Sequence, residues 1–523
     1  MKLRGTVWSF DSRDLMRAQC DHCTRVSTAR ELGVAGLKEL IDQYFEKPDN
    51  LAIRYGMKFE ASLEQELLAN LGELVAAPHD NSLEATLELM DEGMPVIYQG
   101  VLRGGSGAMD FSGRPDFLLR GDYRFEFTPD GLTARQVDGW SGGYSAWDAK
   151  LSSSPKPEYQ VQVGLYVDVL ASLGYLAKSQ SGLILGSREL AGFDSDVLVA
   201  QMQLKRNSYL QKVFAFIDED PQRAEDIGEL VCEATSYCDI CEYPKLCEAM
   251  RHETNHLQLV ANITKLQIES LRRSGVKTVR GLVEFEGETD KLSREQLAPI
   301  RTQARLQQHR YDSGESEVLV SNPDGLKILG EEQPGDIYFD LEGFTFFGEP
   351  GGLEYLFGWL DNSGQFHHGW ADDRVSEQQI FSEFVTWFER NLEQNPTARI
   401  FHYANYEQAA LKRLAARFSL HEELIETWLN KGVFVDLYKV VKASIMVSEP
   451  KYSIKNLENF YTFKRSSDVK EAMGSMEYYD QYLQALESDP EAAENLKRQV
   501  LSYNQDDCIS TLALVRWLRS LRS

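Results

Sequence analysis

Four places in the 523-residue chain set carboxylates or thiols at spacings that serve chemistry. In "GRPDFLLR" and "YSAWDAKL", Asp116 stands on one strand-like run, and Asp148 and Lys150 stand on a later one. Residues two apart on a strand face the same side, so Asp148 and Lys150 share a face. Carboxylates so placed hold Mg²⁺, which polarises a phosphodiester and activates water. The lysine stabilises charge on the phosphate or helps position the water. In "IYFDLEGF", Asp340 and Glu342 alternate with the core-suited Ile337, Phe339 and Leu341, so both carboxylates point one way. Like charges side by side are costly unless a cation joins them. Near the end, "SYNQDDC" puts Tyr503 and Asp507 four residues apart, on one face of a helix. Lastly, Cys238-x2-Cys241-x5-Cys247 is a metal-ligand spacing. Three thiols leave a fourth ligand to be found, and Cys20, Cys23 and Cys232 are the candidates.

The elements that position these residues are legible in outline. "ELGVAGLKELIDQYF" and "KFEASLEQELLANLGELVAA" repeat apolar residues at three and four, the pattern of amphipathic helices. Strand-like runs follow in "MPVIYQGVLR", "GRPDFLLRG", "YRFEFTP" and "YSAWDAKL", then a helix, "EYQVQVGLYVDVLASLGY", and the strand "SGLILGS". This order predicts an α/β core. Residues 256–282 read as short helices joined by tight turns, and "NPDGLKILGEEQPGD" reads as a separating stretch. A second α/β unit opens near residue 336 with "DIYFDLEGF" and "EYLFGWLD", passes through "RIFHYAN" and ends in a long helix. The expected domains are 1–254, 255–330 and 331–523.

Composition bounds the function. The chain is 42% hydrophobic and 26% charged, with a net charge of −26, the opposite of a broad basic footprint for nucleic acid. A local basic channel is compatible with that sum. No apolar run reaches the roughly 18–20 residues a membrane helix needs, and the start lacks the apolar segment of a secretory signal. The expected compartment is the cytoplasm, where seven cysteines argue for metal binding or chance over a disulfide framework. No G-x-x-x-x-G-K-(S/T) phosphate loop is present, so no ATP motor is visible.

Asp116, Asp148-Ala149-Lys150 and the pair Gln162 and Tyr166, one turn apart on the next helix, resemble the RecB-type branch of the PD-(D/E)XK nucleases. The resemblance implies a restriction-endonuclease-like fold and a catalytic set of these residues. It also implies an acid on an earlier helix, four residues after a glycine. In "GMKFE" that acid is Glu60, a hard oxygen ligand suited to Mg²⁺ or Mn²⁺, with Glu64 as its rival. Members of this branch bind a 4Fe–4S cluster through one cysteine before the nuclease core and three after it. The resemblance assigns Cys20, in "FDSRDLMRAQCDHCTR", to Cys238, Cys241 and Cys247. Zinc is the alternative metal for such thiolates.

Asp340, Glu342 and the Tyr503-x3-Asp507 helix resemble the DEDD exonucleases of the RNase H-like fold. The resemblance implies two metal ions at Asp340, Glu342, Glu407 and Asp507, water orientation by Tyr503, and removal of nucleotides from 3′ ends. Glu407, in "NYE", stands where aspartate is usual; Asp436 in "VFVDLYK" is a second candidate, and Asp506 reads as a helix neighbour. Between the two, "LVANITKLQIESLRRSGVKTVRGL" resembles a helix-hairpin-helix segment with "ANIT" in place of its hairpin glycines. Lys265, Arg272, Arg273, Lys277 and Arg280 against Glu269 give it a local positive excess, which points to DNA contact. The combination resembles a family of RecB-like nucleases with a C-terminal RNase H-like domain. The expected activity is metal-dependent cleavage of DNA strands or ends in processing, repair or defence, with RNA as another substrate and a helicase as a partner. A non-catalytic nucleic-acid-binding adaptor is the alternative.

Overall fold

The computed structural model describes residues 1–44, 51–106, 108–137, 142–222, 233–348, 351–461, 463–466 and 474–522. The chain divides into two units, Met1–Arg251 and His252–Ser523. No described helix is long and apolar enough to cross a membrane.

The first unit opens with two short strands, Lys2–Arg4 and Val7–Phe10, and a short helix, Ser12–Met16, before helix α1 (Asp21–Leu32) and the long α2 (Leu51–Leu71). Its main sheet takes six strands: β1 (Val75–Ala76), β2 (Val96–Tyr98), β3 (Phe117–Arg120), β4 (Tyr144–Lys150), β5 (Ser181–Leu185) and β6 (Leu190–Phe193). They lie in the order β6-β5-β4-β3-β2-β1. Strand β4 runs antiparallel to β3 and parallel to β5. Helix α3 (Pro157–Leu173) makes the crossover that a parallel β4–β5 pair requires.

Alternation along β4 divides two cores. Trp147 packs with Leu63 and Leu67 of α2, while Tyr144 and Ala146 pack with Val161, Leu165 and Val169 of α3. Asp148 and Lys150 continue the Tyr144–Ala146 register, so they lie on the α3 face. Helix α4 (Ser195–Asp218) packs on α1 and α3, and α5 (Pro244–Glu253) closes the unit.

In the second unit, α6 (Lys265–Arg273), α7 (Val279–Glu284) and α8 (Arg294–Ser313) share a small core of Ile268, Leu271, Val279, Leu282 and Leu297. The separating stretch expected at 322–336 is a packed element. Residues Pro323–Leu329 form a short 3₁₀ turn whose Leu326 and Leu329 are fully buried beside Val441 and Val515. Two leucines three residues apart, hidden in a polar Gly-containing run, fill that core.

A five-stranded sheet follows: β7 (Ile337–Phe344), β8 (Leu353–Asp361), β9 (Phe366–Trp370), β10 (Ile400–His402) and β11 (Phe434–Asp436), in the order β9-β8-β7-β10-β11. Strand β8 runs antiparallel to β7 and β9, and β7, β10 and β11 are mutually parallel. Helices α9 (Arg374–Gln394) and α10 (Tyr406–Phe418) cover one face, where Ile337, Phe339 and Leu341 are buried. Phe339 stacks on Phe384 with ring centroids 4.5 Å apart, an aromatic contact worth about 1 kcal/mol. Tyr338, Leu360 and Phe401 face the opposite way, onto a core shared with the final helix. The last two helices are α11 (Ser475–Ser488) and α12 (Pro490–Ser520). The alternation that buries Phe339 under α9 therefore aims Asp340 and Glu342 at the α12 side.

Candidate active sites and a cysteine cluster

In the second unit, one carboxylate oxygen each from Asp340, Glu342 and Asp507 lie within 4.8 Å of one another, and all three residues are partly buried. Neighbours hold them in place. Asn504 on α12 donates to Asp340 Oδ2 at 2.7 Å. The Ser475 hydroxyl, at the start of α11, donates to Glu342 Oε2. Arg465 donates to Asp507 Oδ1 at 2.8 Å. Asn504 reaches Asp340 because the residue opposite Asp340 on β8 is Gly358; a Cβ there would collide with Asn504 Oδ1. The β7–β8 register shifts between Glu342 and Gly343, a bulge of the kind that re-aims side chains near sites.

Burial and mutual repulsion act on all three carboxyls. Burial, then Asp507 and Glu342, raises the Asp340 pKa well above the ordinary value. Burial, then Asp507, pushes Glu342 up to about 8. Burial also raises Asp507, against the pull of Arg465.

Glu407, at the start of α10, is buried, and its charge acts on both Asp340 and Glu342. His402, fully buried at the end of β10, lies 3.1 Å from Glu407 through Nδ1, and Gln408 lies 2.8 Å from its Nε2. Asp436 stands opposite His402 on β11 and its charge acts on Glu407, while its carboxylate caps the helix Leu437–Ser444, accepting from the Lys439 backbone N–H and pairing with its ammonium at 3.3 Å. Asp506 accepts from the N–H and hydroxyl of Ser466, away from the carboxylate group. Tyr503 has its ring beside both Lys455 and Arg465, and burial, then Asp507, raises its hydroxyl pKa. Asn504, Ser475, Arg465 and His402 were not picked out from the sequence. For Asn504 the available signal was its place three residues before Asp507, roughly one turn away on the same helix.

In the first unit, Asp116 immediately precedes β3 and accepts from the Ala149 N–H at 2.6 Å, which pins it to the strand bearing Asp148 and Lys150. Lys150 pairs with Asp148 Oδ2. Asp148 is 1% exposed, and its other oxygen, Oδ1, is buried without a hydrogen-bond partner among the described residues. Burial, then Asp148, raises the Asp116 pKa well above the carboxylate range. Burial lowers the Lys150 pKa, but Asp148 and Asp116 outweigh it and hold the ammonium up.

Glu60 accepts from Tyr98 OH at 3.1 Å and Gln99 Nε2 at 2.5 Å, and its charge reaches Asp116. Burial raises the Glu64 pKa, and Tyr98 and Glu60 act on the same carboxyl. Gln162 donates to Tyr166 OH at 2.6 Å, and Tyr166 donates to the Arg114 carbonyl at 3.5 Å. Both line a cleft of about 410 Å³ with Arg13 and Arg114. Gly113 lets Tyr166 in, since a Cβ there would collide with its ring. An orphan carboxylate oxygen beside a second acid and a lysine fits a divalent cation.

The cysteines from the two ends of the first unit meet. Cys23 Sγ and Cys241 Sγ are 3.6 Å apart, and Cys247 Sγ is 3.3 Å from His22 Nδ1. Cys20 accepts from the Cys23 N–H at 3.4 Å, and Cys247, Cys241 and Cys238 all act on its thiol. The Cys23–Cys241 contact couples the two thiols, lowering the pKa of Cys241 and raising that of Cys23. Glu242 braces the junction by pairing with Arg17 and Arg30, each at 3.2 Å. Both Cys20 and Cys23 are thus at the junction; Cys232 lies outside the described residues. The donor set fits a thiolate-bound metal group.

Two of the five cations of the basic island at 256–282 are neutralised by acids outside it. Arg273 pairs with Asp290 at 2.7 Å and Arg280 with Asp312 at 3.0 Å, and Arg272 lies 2.7 Å from His256 Nε2. The acids come from beyond the segment, where the local charge count does not see them.

Among known families, residues 337–519 match a model described as the RNase_H superfamily. No curated protein and no solved structure matches the chain. The matched span holds the five-stranded sheet, the Asp340–Glu342–Asp507 group and α12, so the chain carries a C-terminal RNase H-like domain, which points to a nuclease-type function.

Proposed function

We propose that this chain is a metal-dependent nuclease whose RNase H-like domain removes nucleotides from the ends of DNA strands. The observation that carries the reading is the Asp340, Glu342 and Asp507 group, three carboxylates within 4.8 Å inside that domain. Such a group is stable when divalent cations bind it. Mg²⁺ or Mn²⁺ bound there supplies charge to a phosphodiester and lowers the pKa of water. The protein's own groups do the positioning. Asp340, Glu342, Asp507 and Glu407 hold the cations, and Asn504 and Ser475 orient the first two carboxylates. His402 aims Glu407, and Tyr503 orients the attacking water.

Asp116, Asp148 and Lys150, with Glu60, form a second candidate centre of the same chemistry, supported by the orphaned Asp148 oxygen. Gln162 and Tyr166 border its strand path. The cysteine cluster is proposed to hold a 4Fe–4S group through Cys20, Cys238, Cys241 and Cys247, with zinc the other occupant such thiolates accept. Its role is to clip the ends of the first unit together, which contributes folding energy.

The test is cleavage of end-labelled single- and double-stranded DNA and RNA with Mn²⁺ by anaerobically purified chain. Wild type is compared with Lys150→Ala and Asp340→Ala. DNA cleavage abolished by Asp340→Ala supports the reading. Cleavage of RNA alone reassigns the substrate, and absence of any cleavage leaves a binding adaptor.

A further inference from the structure

Beside the carboxylates of the RNase H-like site stand two cations, Arg465, which steadies Asp507, and Lys455. Lys455 Nζ is 5.2 Å from the centroid of the Tyr503 ring, and Arg465 Cζ is 5.6 Å from the same centroid. Glu458 grips Arg465 through two bonds, Nε to Oε2 at 3.1 Å and Nη2 to Oε1 at 2.6 Å. Nη2 also reaches Asp507. The remaining nitrogen, Nη1, is buried and has no hydrogen-bond partner among the described residues. A guanidinium N–H left unspent in a protein interior is costly, and a ligand oxygen is the partner that would remove the cost. Lys455 is half-buried and, among the described residues, has no ion-pair partner, although its charge acts on Glu342 and Asp507.

A site lined with acids repels a phosphodiester wherever bound cations do not neutralise them, and the phosphate gains negative charge as hydrolysis proceeds. The two positive groups flank the tyrosine assigned to the water. We propose that Lys455 and Arg465 form a phosphate clamp for the terminal nucleotide, Arg465 through Nη1 and Lys455 through its ammonium. This deepens the nuclease reading and rests on it. The water oxygen forms the new P–O bond and the P–O3′ bond breaks. The electron pair stays on O3′, which takes up a proton as the water gives one to solvent. The clamp carries no proton in this step; Arg465 bonds the non-bridging phosphate oxygen as its charge grows, and Lys455 holds the nucleotide in place.

The experiment uses the full chain with Mn²⁺ and two readouts: steady-state cleavage of a 5′-labelled single strand, and calorimetric binding of thymidine 5′-monophosphate. Arg465→Gln should lower kcat about 10²-fold, the usual loss of one transition-state donor, with Arg465→Lys recovering part of it. Lys455→Gln should raise KM and weaken the monophosphate about 10-fold, with kcat within about two-fold, as loss of uniform binding does. Wild-type binding of the monophosphate that Lys455→Gln weakens, without cleavage by any form, supports the clamp while sinking the nuclease reading. Wild-type cleavage with kcat, KM and monophosphate affinity unchanged in Lys455→Gln and Arg465→Gln overturns the clamp and spares the nuclease. Arg465→Gln that only lowers Tm makes the arginine a structural counter-ion and likewise overturns it. Should Arg465→Gln not fold, Lys455→Gln decides alone, unchanged KM and affinity being the overturning result.

Discussion

The two candidate sites solve one electrostatic problem in opposite ways. In the first unit, a cation is built into the strand: Lys150 pairs with Asp148 Oδ2, and Asp148 Oδ1 has no hydrogen-bond partner among the described residues. In the RNase H-like domain the strand supplies only acids, and the cations, Lys455 and Arg465, come from a segment more than 100 residues later. The first site sets Glu60, Asp116 and Asp148 against one lysine, and burial with the Asp148 charge raises the Asp116 pKa. The second sets Asp340, Glu342, Asp507 and Glu407 against Lys455 and Arg465, and burial raises the pKa of its carboxyls as well. Both sites should therefore draw on bound metal for stability as well as for chemistry, the second through more carboxylates.

The largest expected effect breaks the comparison outright. Asp340→Ala should reduce the RNase H-like activity by at least ~10³-fold, because no neighbouring acid replaces the strand-borne ligand. Lys150→Ala should leave that activity intact. Loss of all cleavage in Lys150→Ala would make the first site the working one.

Next is Gly358→Ala. The added methyl displaces Asn504 from Asp340, and overpacking of this kind costs roughly 1–3 kcal/mol. The expected result is about a 10²-fold fall in kcat and a lowered Tm. The matching change at Gly113 should instead disturb Tyr166 and the first site alone.

Cysteine chemistry separates the units. Cys241→Ser should abolish an absorbance band near ~400 nm in anaerobic protein and destabilise Met1–Arg251, with little effect on the RNase H-like domain. A colourless wild-type protein with one bound zinc would change the metal and keep the clip.

The smallest effect sharpens the electrostatic contrast. Glu342 is pushed up to about 8 from an ordinary 4.5, first by burial and then by Asp507. Between those values the metal-free folded chain holds a proton that the unfolded chain has released, so this group's stabilisation is lost as pH rises through about 8. Metal needs the bare carboxylate, so its stabilising effect grows over the same interval. Mn²⁺ should raise Tm by a few degrees more at about pH 8.5 than at about pH 6, and Glu342→Gln should flatten the difference.

Much of this arrangement was legible in the sequence because strands and helices have fixed periods. Alternation alone put Asp340 and Glu342 on one face and Asp148 with Lys150 on another, and four-residue spacing placed Tyr503 over Asp507. What stayed hidden depends on register and distant partners. Gly358 matters only because β8 pairs it with Asp340. Arg465 matters only because its loop returns to α12. The basic island around Arg273 looked free because Asp290 and Asp312 lie outside the counted window. The turn at 323–329 read as a separator because its two core leucines sit among glycines and charges.

The most direct test is a Mn²⁺ time course on a 5′-labelled single-stranded DNA, with Lys150→Ala protein against the Lys150→Ala, Asp340→Ala double variant. Stepwise shortening by the first and none by the second is the predicted result. Equal shortening by both, or none by the first while wild type cuts, would contradict a catalytic metal site at Asp340, Glu342 and Asp507.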